Sequence, residues 1–414
     1  MKGFLTMKVL GIVSEYNPFH NGHKLHIEKS KKSTGCDFVI AVMSGNFVQR
    51  GEPAIFDKWT RTRSALINGV DMVIEIPVSF ATASAEFFAE CSVRILENSG
   101  IIDTISFGSE CGNVDYIEKI SDILYNEPTE FKELIKEELS KGLTFPVARS
   151  KALKKLSCVP KDVLENPNNI LGIEYLKALK KINSSITPFT LLREVSHYNS
   201  KDMTGFISSA TSIREGIKKG DVEASLMAVP ENCRGLYKSV MKKGISPIFP
   251  DDMSDFLNYK LRMSTPSQIE SILDVTEGLE NRIINAMTEN YSFSDMCSYI
   301  KSKRYTFTRI QRVLSHIILD ITKEDTKTYI DNGFSQYIRV LGFRKDSSHL
   351  LSSLIKNSKI PVITNLKNAG NQLDTLGMKM LEKEIQTTDI YMALCPDKSN
   401  SSIRKEFTEP MVII

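Results

Sequence analysis

No C-x-x-C pair occurs among the seven cysteines (Cys36, Cys91, Cys111, Cys158, Cys233, Cys297 and Cys395). An odd, scattered set of thiols argues against a disulfide framework and against a thiolate zinc site. Long apolar runs are missing as well: none approaches the ~18 residues of a membrane-spanning helix. Met1 to Met7 lacks the basic stretch followed by an apolar one that marks a secretory leader. These absences together predict a cytoplasmic protein with reduced thiols and no membrane partner. A large excess of one sign of charge is also missing, with 53 Lys and Arg against 50 Asp and Glu. A formal net charge of +3 is too small to identify a polyanionic partner, so any nucleic-acid reading must come from local clustering. Neither an internal repeat nor a low-complexity tract is present.

At 414 residues the chain exceeds what one core usually organises, which predicts two domains. The first half alternates short apolar runs with longer amphipathic stretches, giving expected strands at Val9 to Val13, Phe38 to Met43, Met72 to Ile76, Thr104 to Phe107 and Pro188 to Leu192. Their runs are nearly continuous, as in parallel strands covered by helices on both faces. Helices are expected at Gly22 to Lys32 with Asn21 as N-cap, at Lys58 to Ile67 after Asp57, and at Ala85 to Glu97 after Ser84. After Arg214 the pattern changes to long helical segments around Ser267 to Glu289 and Thr308 to Ile321. A mixed stretch follows, with strands at Gln336 to Gly342 and Pro361 to Asn365 and helices at Ser347 to Lys356 and Asp374 to Leu394. The expected architecture is α/β: a Rossmann-like parallel-sheet domain over residues 7–215, then a helix-rich α+β domain over residues 216–414.

Chemistry concentrates after the first strand. The segment Val13-Ser14-Glu15-Tyr16-Asn17-Pro18-Phe19-His20-Asn21-Gly22-His23-Lys24-Leu25-His26 leaves that strand, turns at Pro18 and enters a helix near Gly22. A helix start offers unsatisfied N–H groups and a partial positive charge, so phosphate is favoured there. Gly22 admits a close backbone approach, and imidazoles three residues apart share one helical face. The bland alternative is an Asn-Gly turn flanked by surface histidines; three of the chain's six histidines within seven residues weigh against it. Zinc on His20, His23 and His26 lacks a carboxylate or thiolate at suitable spacing.

His20-Asn21-Gly22-His23 resembles the HxGH signature of the nucleotidylyltransferase superfamily, and Ile207-Ser208-Ser209-Ala210-Thr211-Ser212-Ile213-Arg214 resembles its second motif, ISSTxIR with one extra residue. Read alone, the second element is equally a helix cap. More specifically, the chain is similar over nearly its whole length to the bacterial tRNA(Met) cytidine acetate ligase family. The likeness rests on Glu15 to His23, Ser44 to Ala54, Phe107 to Glu110, Pro167 to Gly172, Arg193 and Lys303 to Arg312. That resemblance implies a nucleotidylyltransferase domain in which acetate attacks the α-phosphate of ATP, brought with Mg2+. The acetyl group then passes to N4 of the wobble cytidine of elongator tRNA(Met), giving N4-acetylcytidine, AMP and pyrophosphate. It also implies His20 and His23 as the catalytic pair. ATP contacts are implied along Val13 to His26, at Gly108, Asn168 and Arg193, and at Ser208, Ser209 and Arg214. Similar proteins begin at Met7, which makes the six preceding residues a departure.

Other clusters have two readings each. Ser44-Gly45-Asn46 and Gln49-Arg50 form a loop that can contribute to the same strand edge, with Arg50 beside Gly51 a positive group on a permissive backbone, or they are an ordinary strand-to-helix loop. Asp57 reads as a cap with Arg61 and Arg63 on a solvated face, or the two arginines contact tRNA or phosphate. Gly108 leaves room for adenosine or simply forms a turn; Asn168 or Asn169 caps a helix; Arg193 grips phosphate or pairs with Glu194. Lys301, Lys303, Arg304, Arg309 and Arg312, interleaved with Tyr305 and Phe307 and free of acidic residues, fit an anticodon loop, or equally a basic helix with buried aromatics. Two rival functions remain: an adenylyltransferase acting on a phosphorylated metabolite, and a non-catalytic RNA-binding protein. The acetate pocket, the Mg2+ ligands and the acid or base for the amine proton leave no linear signature, and a homodimer stays open.

Overall fold

A computed structural model describes residues 7–143, 145–157, 159–193, 208–276, 278–289, 291–400 and 403–414. Strands β1 (Val9–Ser14), β2 (Phe38–Ser44), β5 (Met72–Ile76), β6 (Thr104–Ser109) and β7 (Thr187–Leu192) fall where the apolar runs place them. Between β2 and β5 lies a small antiparallel hairpin, β3 (Phe47–Val48) with β4 (Glu52–Pro53). Along β2, Ile40 and Val42 join one buried cluster while Val39, Ala41 and Met43 join another. Both faces of the sheet are thus covered, which is why no polar alternation shows in the sequence.

Sheet order is β10-β8-β5-β2-β1-β6-β7, with β9 attached to β8. The last three strands, β8 (Ile338–Phe343), β9 (Val362–Ile363) and β10 (Val412–Ile413), come from the second half of the chain. β8 runs antiparallel to β5. The 215/216 division is therefore not a division of the sheet. An apolar edge at β5, buried at every residue from Met72 to Ile76, would otherwise carry unpaired N–H and C=O groups, and β8 satisfies them. A buried ionic cluster fastens the join: Lys58 Nζ meets Glu75 Oε1 at 2.6 Å and also contacts Glu406, whose other oxygen takes Arg339 at 2.9 Å.

A separate apolar cluster, including Leu257, Ile283, Phe293, Met296, Val313 and Leu314, holds the helices between residues 254 and 319 together. Here one expectation needs correcting. The helix expected over Ser267 to Glu289 is two helices, Pro266–Ser271 and Leu279–Glu289. Between them Leu273 donates its N–H to Ile321, Ile272 bridges Thr322, and Asp274 turns at φ +68°. Those tertiary hydrogen bonds outweigh local propensity.

In such a sheet the loops after neighbouring strands open a crevice where the winding reverses, and here β1 is flanked by β2 and β6. That crevice, at the carboxyl ends of β1 and β6, holds the candidate site.

Candidate active site

A cavity of about 230 Å³ opens at this edge. It is lined by Val13, Ser14, Glu15, Tyr16, Asn17, His20, His23 and His26 from the first strand and helix, and by Gly108, Asn168 and Arg193 from the opposite wall. Ser209 and Arg214 close a third side. Both motifs of the sequence therefore meet here.

The first helix, Asn21–Thr34, begins one residue earlier than expected, and its N-cap is His20 rather than Asn21. His20 Nδ1 accepts the N–H of Gly22 at 3.1 Å, and His23 Nδ1 accepts the N–H of His20 at 3.2 Å. The two rings stack with centroids 3.7 Å apart. His26 Nε2 lies 3.1 Å from Ser106 Oγ. Burial pushes all three imidazoles down, His20 to about 3 and His26 to about 4, with Arg193 adding repulsion to each and Arg214 to His20. These rings are neutral at physiological pH. With Nδ1 engaged as acceptor, His20 and His23 carry their proton on Nε2. The pair therefore supplies hydrogen-bond donors, while positive charge comes from Arg193, Arg214 and Arg50.

Not every residue of the first segment reaches the cavity. Asn21 gives its N–H to Ala228 and its amide to Met227. Phe19 is fully buried in the core below, its carbonyl taken by Tyr237 at 3.4 Å. Lys24 lies along the helix surface 4.0 Å from Glu28, and Pro18, Gly22 and Leu25 do not line the cavity. The reason is periodicity: positions 20, 23 and 26 share one face, whereas 24 and 25 turn away from it.

On the opposite wall, Asn168 is a strut. Its Nδ2 donates to Glu110 Oε1 at 2.6 Å, and its Oδ1 accepts Arg193 Nη1 at 3.2 Å. Glu110 also takes the N–H groups of Asn168 and Asn169 at the start of helix Pro167–Lys181, so that helix end already holds a carboxylate. Capping there falls to Glu110 rather than to Asn168 or Asn169. Asn169 instead accepts the N–H groups of Glu110 and Cys111. A Cβ at Gly108 would sit 3.0 Å from Arg193 Cγ, so the missing side chain makes room for that arginine. Glu194 lies outside the described residues.

The third side is the start of helix Ala210–Lys218, capped by Ser209, whose Oγ accepts the N–H of Ser212 at 3.1 Å. Ser208 is buried beside it and does not line the cavity. Arg214 reaches across to Asn17 O at 2.8 Å and lies 3.6 Å from Glu52 Oε2. The start of this helix, at Ser209, Ala210 and Thr211, faces the cavity, whereas the opening N–H groups of the first helix are spent on Ala228 and on His20 itself.

Sequence reasoning missed several participants. Glu52, Phe88, Phe107, Leu171 and Tyr175 line the cavity, together with Gln49 and Arg50 of the loop expected near this edge. Arg61, expected on a solvated face, is fully buried. It donates to the carbonyls of Phe56 at 2.9 Å, Glu15 at 2.7 Å and Ser44 at 3.0 Å, and also to that of Gly45. A lone arginine in a helix gives no linear sign that strand-end carbonyls wait above it. Of the six cysteines described, none lines the cavity.

In the basic segment the aromatics follow the second of the two readings, a helix with buried aromatics. Tyr305 is buried, its hydroxyl donating to Thr276 O at 3.2 Å. Phe307 packs against the helical core. Arg309 binds Asp274 O and Thr276, and Arg312 Nε meets Asp274 Oδ2 at 3.3 Å. Lys301, Lys303 and Arg304 are exposed.

The model of the HIGH nucleotidyl transferase family matches residues 7–406. The chain belongs to that family. Proteins similar to it include the tRNA(Met) cytidine acetate ligases of Acetivibrio thermocellus (43% identical, covering 99% of this chain and 100% of that one) and of Thermoanaerobacter sp. strain X514 (43%, covering 98% and 100%). Among solved structures, apo TmcAL of Thermotoga maritima superposes with a TM-score of 0.93 at 34% identity, covering 99% of this chain and 100% of the other. The same protein bound with alpha-thio ATP gives 0.91 at 34% identity, covering 98% and 99%.

Proposed function

We infer that the chain is an ATP-dependent acetate ligase that modifies the wobble cytidine of elongator tRNA(Met). The observation that supports it most is the pair of neutral imidazoles, each locked by a backbone N–H at Nδ1, at a cavity that the start of helix Ala210–Lys218 and the arginines Arg193 and Arg214 also line. ATP occupies this cavity in our reading, its phosphates facing His20, His23, Arg193, Ser209 and Arg214. An acetate oxygen attacks the α-phosphorus, the bond to the β-phosphate breaks, and pyrophosphate leaves. Preorganised Nε2–H donors stabilise the charge that builds in that transition state without reorganising. In the second step N4 of the cytidine attacks the acetyl carbon and AMP departs. No cysteine thioester is needed, because the adenylate already carries a good leaving group.

Magnesium is expected with the triphosphate. Among the described residues no group of three His, Cys, Asp or Glu side chains could hold a metal ion; Mg2+ would arrive with the triphosphate and would neutralise part of its charge. For the RNA we assign the exposed cations Lys301, Lys303 and Arg304 to the backbone, with Arg309 and Arg312 supporting the segment from within. The functional division at 215/216 then separates nucleotide contacts from RNA contacts, although the sheet spans both. Among the described residues no helix is long and apolar enough to cross a membrane.

The test is mass spectrometry of elongator tRNA(Met) incubated with the protein, ATP and acetate. Acetylation of the wobble cytidine that requires all three is the expected result. Turnover of ATP that follows a phosphate ester instead of acetate would favour the metabolite adenylyltransferase.

A further inference from the structure

The second step releases a proton from the cytidine amine, and the cavity has few groups able to accept it. His20 and His23 have both ring nitrogens committed, Nδ1 as acceptor from the backbone and Nε2 as carrier of the proton. His26 Nε2 lies 3.1 Å from Ser106 Oγ, and burial together with Arg193 pushes the ring's pKa down to about 4, which makes it a poor base. Tyr16 and Tyr175 are buried phenols whose ionisation is pushed far up by loss of water, so they stay protonated. Of the two carboxylates lining the cavity, Glu52 is occupied: Oε1 accepts Gln311 Nε2 at 3.0 Å and Oε2 faces Arg214.

Glu15 remains. Its carbonyl is clamped by Arg61 at 2.7 Å and its Oε1 accepts the N–H of Gln49 at 2.9 Å, which fixes the side chain at the end of β1. Oε2 has no hydrogen-bond partner among the described residues. The geometry points to Glu15 as the base of the acetyl-transfer step, and we propose that its Oε2 takes the N4 proton. The step balances: N4–C forms, the C–O bond to the adenylate phosphate breaks, AMP leaves with the electron pair, and the proton ends on the carboxylate. This assignment rests on the ligase reading given above.

The surroundings suit the task. Arg50 and Glu52 face Glu15 from the β3–β4 hairpin, Arg214 from helix Ala210–Lys218, Arg61 from helix Lys58–Leu66 and Tyr175 from helix Pro167–Lys181. Burial raises the carboxyl above its ordinary range, with Glu52 adding to the rise and the Gln49 N–H, Arg50 and Arg214 opposing it. A carboxylate of raised proton affinity is a better base at neutral pH than a solvated one.

The experiment separates the two steps in Glu15→Gln, which keeps an acceptor for Gln49. Acetate-dependent exchange of pyrophosphate into ATP reports adenylation; single-turnover acetylation of elongator tRNA(Met) reports transfer. Transfer is expected to fall by about 10²-fold or more, the usual contribution of a general base, and to do so by at least tenfold beyond any loss in exchange. The parent's transfer rate rises with pH as Glu15 loses its proton, and that rising limb disappears in the variant. Glu15→Asp, on the same clamped backbone, retains the limb at a reduced rate and serves if the glutamine variant does not fold. Equal losses in both steps that recover with added magnesium would overturn the proposal in favour of metal binding. A variant that transfers normally with its pH limb intact overturns it outright. A parent chain with no acetate-dependent exchange instead removes the ligase reading itself, an outcome distinct from failure of the Glu15 role.

Discussion

The His20–His26 segment and the Lys301–Arg312 segment both look functional in sequence, yet the fold treats them differently. In the first, the chemistry-bearing side chains bond to their own backbone and share one cavity wall. In the second, the aromatic members are core, and Arg309 and Arg312 spend their donors on the 274–276 turn. The contrast teaches that a motif whose spacing matches helical periodicity defines a face, whereas a run of like charge only defines a composition. Partners decide the rest.

The sharpest way to break the comparison is to remove a donor from the first segment. His23→Ala is expected to lower acetate-dependent pyrophosphate exchange by roughly 10²- to 10³-fold, measured by initial rates, while leaving tRNA affinity near the parent value. A loss confined to tRNA binding would reverse the roles of the two segments. Next in size is Arg61→Met, which strips the strand-end carbonyls of Glu15, Ser44 and Gly45 of their buried donor. Urea unfolding should show a loss on the order of 3 kcal/mol, where a solvated arginine would show almost none.

For the second segment, replacing Lys301, Lys303 and Arg304 together by Ser should weaken tRNA binding and flatten its salt dependence, by up to about 2 in the slope of log K against log salt. Arg312→Ser should instead mainly lower stability, because Asp274 loses its partner. Filter binding at several salt concentrations checks the first and thermal unfolding the second. Equal effects in both assays would erase the distinction drawn inside this segment.

Smallest is a pH effect. The histidines of the first segment are depressed in the folded state, so the unfolded chain binds protons first as the pH falls. Their contribution to stability is whole above the unfolded value near 6.5, declines below it, and is lost by about pH 3 to 4. Calorimetry should give a lower unfolding temperature at pH 5 than at pH 7.5, and His26→Gln should reduce that difference.

Much of the fold was legible because parallel strands buried on both faces read as unbroken apolar runs, as Val39 to Met43 does. The edge strand β8 was legible as a strand but not as a neighbour of β5, since pairing across some 260 residues leaves no local trace. At the site, the 20, 23 and 26 face could be seen from spacing. Neutrality of those rings could not, because it follows from burial and from Arg193, which arrives from a distant strand end. Nor could the occupation of the Pro167–Lys181 helix start by Glu110.

The central claim is that the histidine pair acts as neutral Nε2–H donors rather than as cations. Nitrogen-15 NMR of histidine-labelled protein, with and without ATP, tests it directly. The account predicts neutral Nε2–H tautomers for His20 and His23 at pH 7 and unchanged charge on adding ATP, with the Nε2 resonances moving as the phosphates bind. Doubly protonated rings at pH 7, or Nδ1–H tautomers, would contradict it.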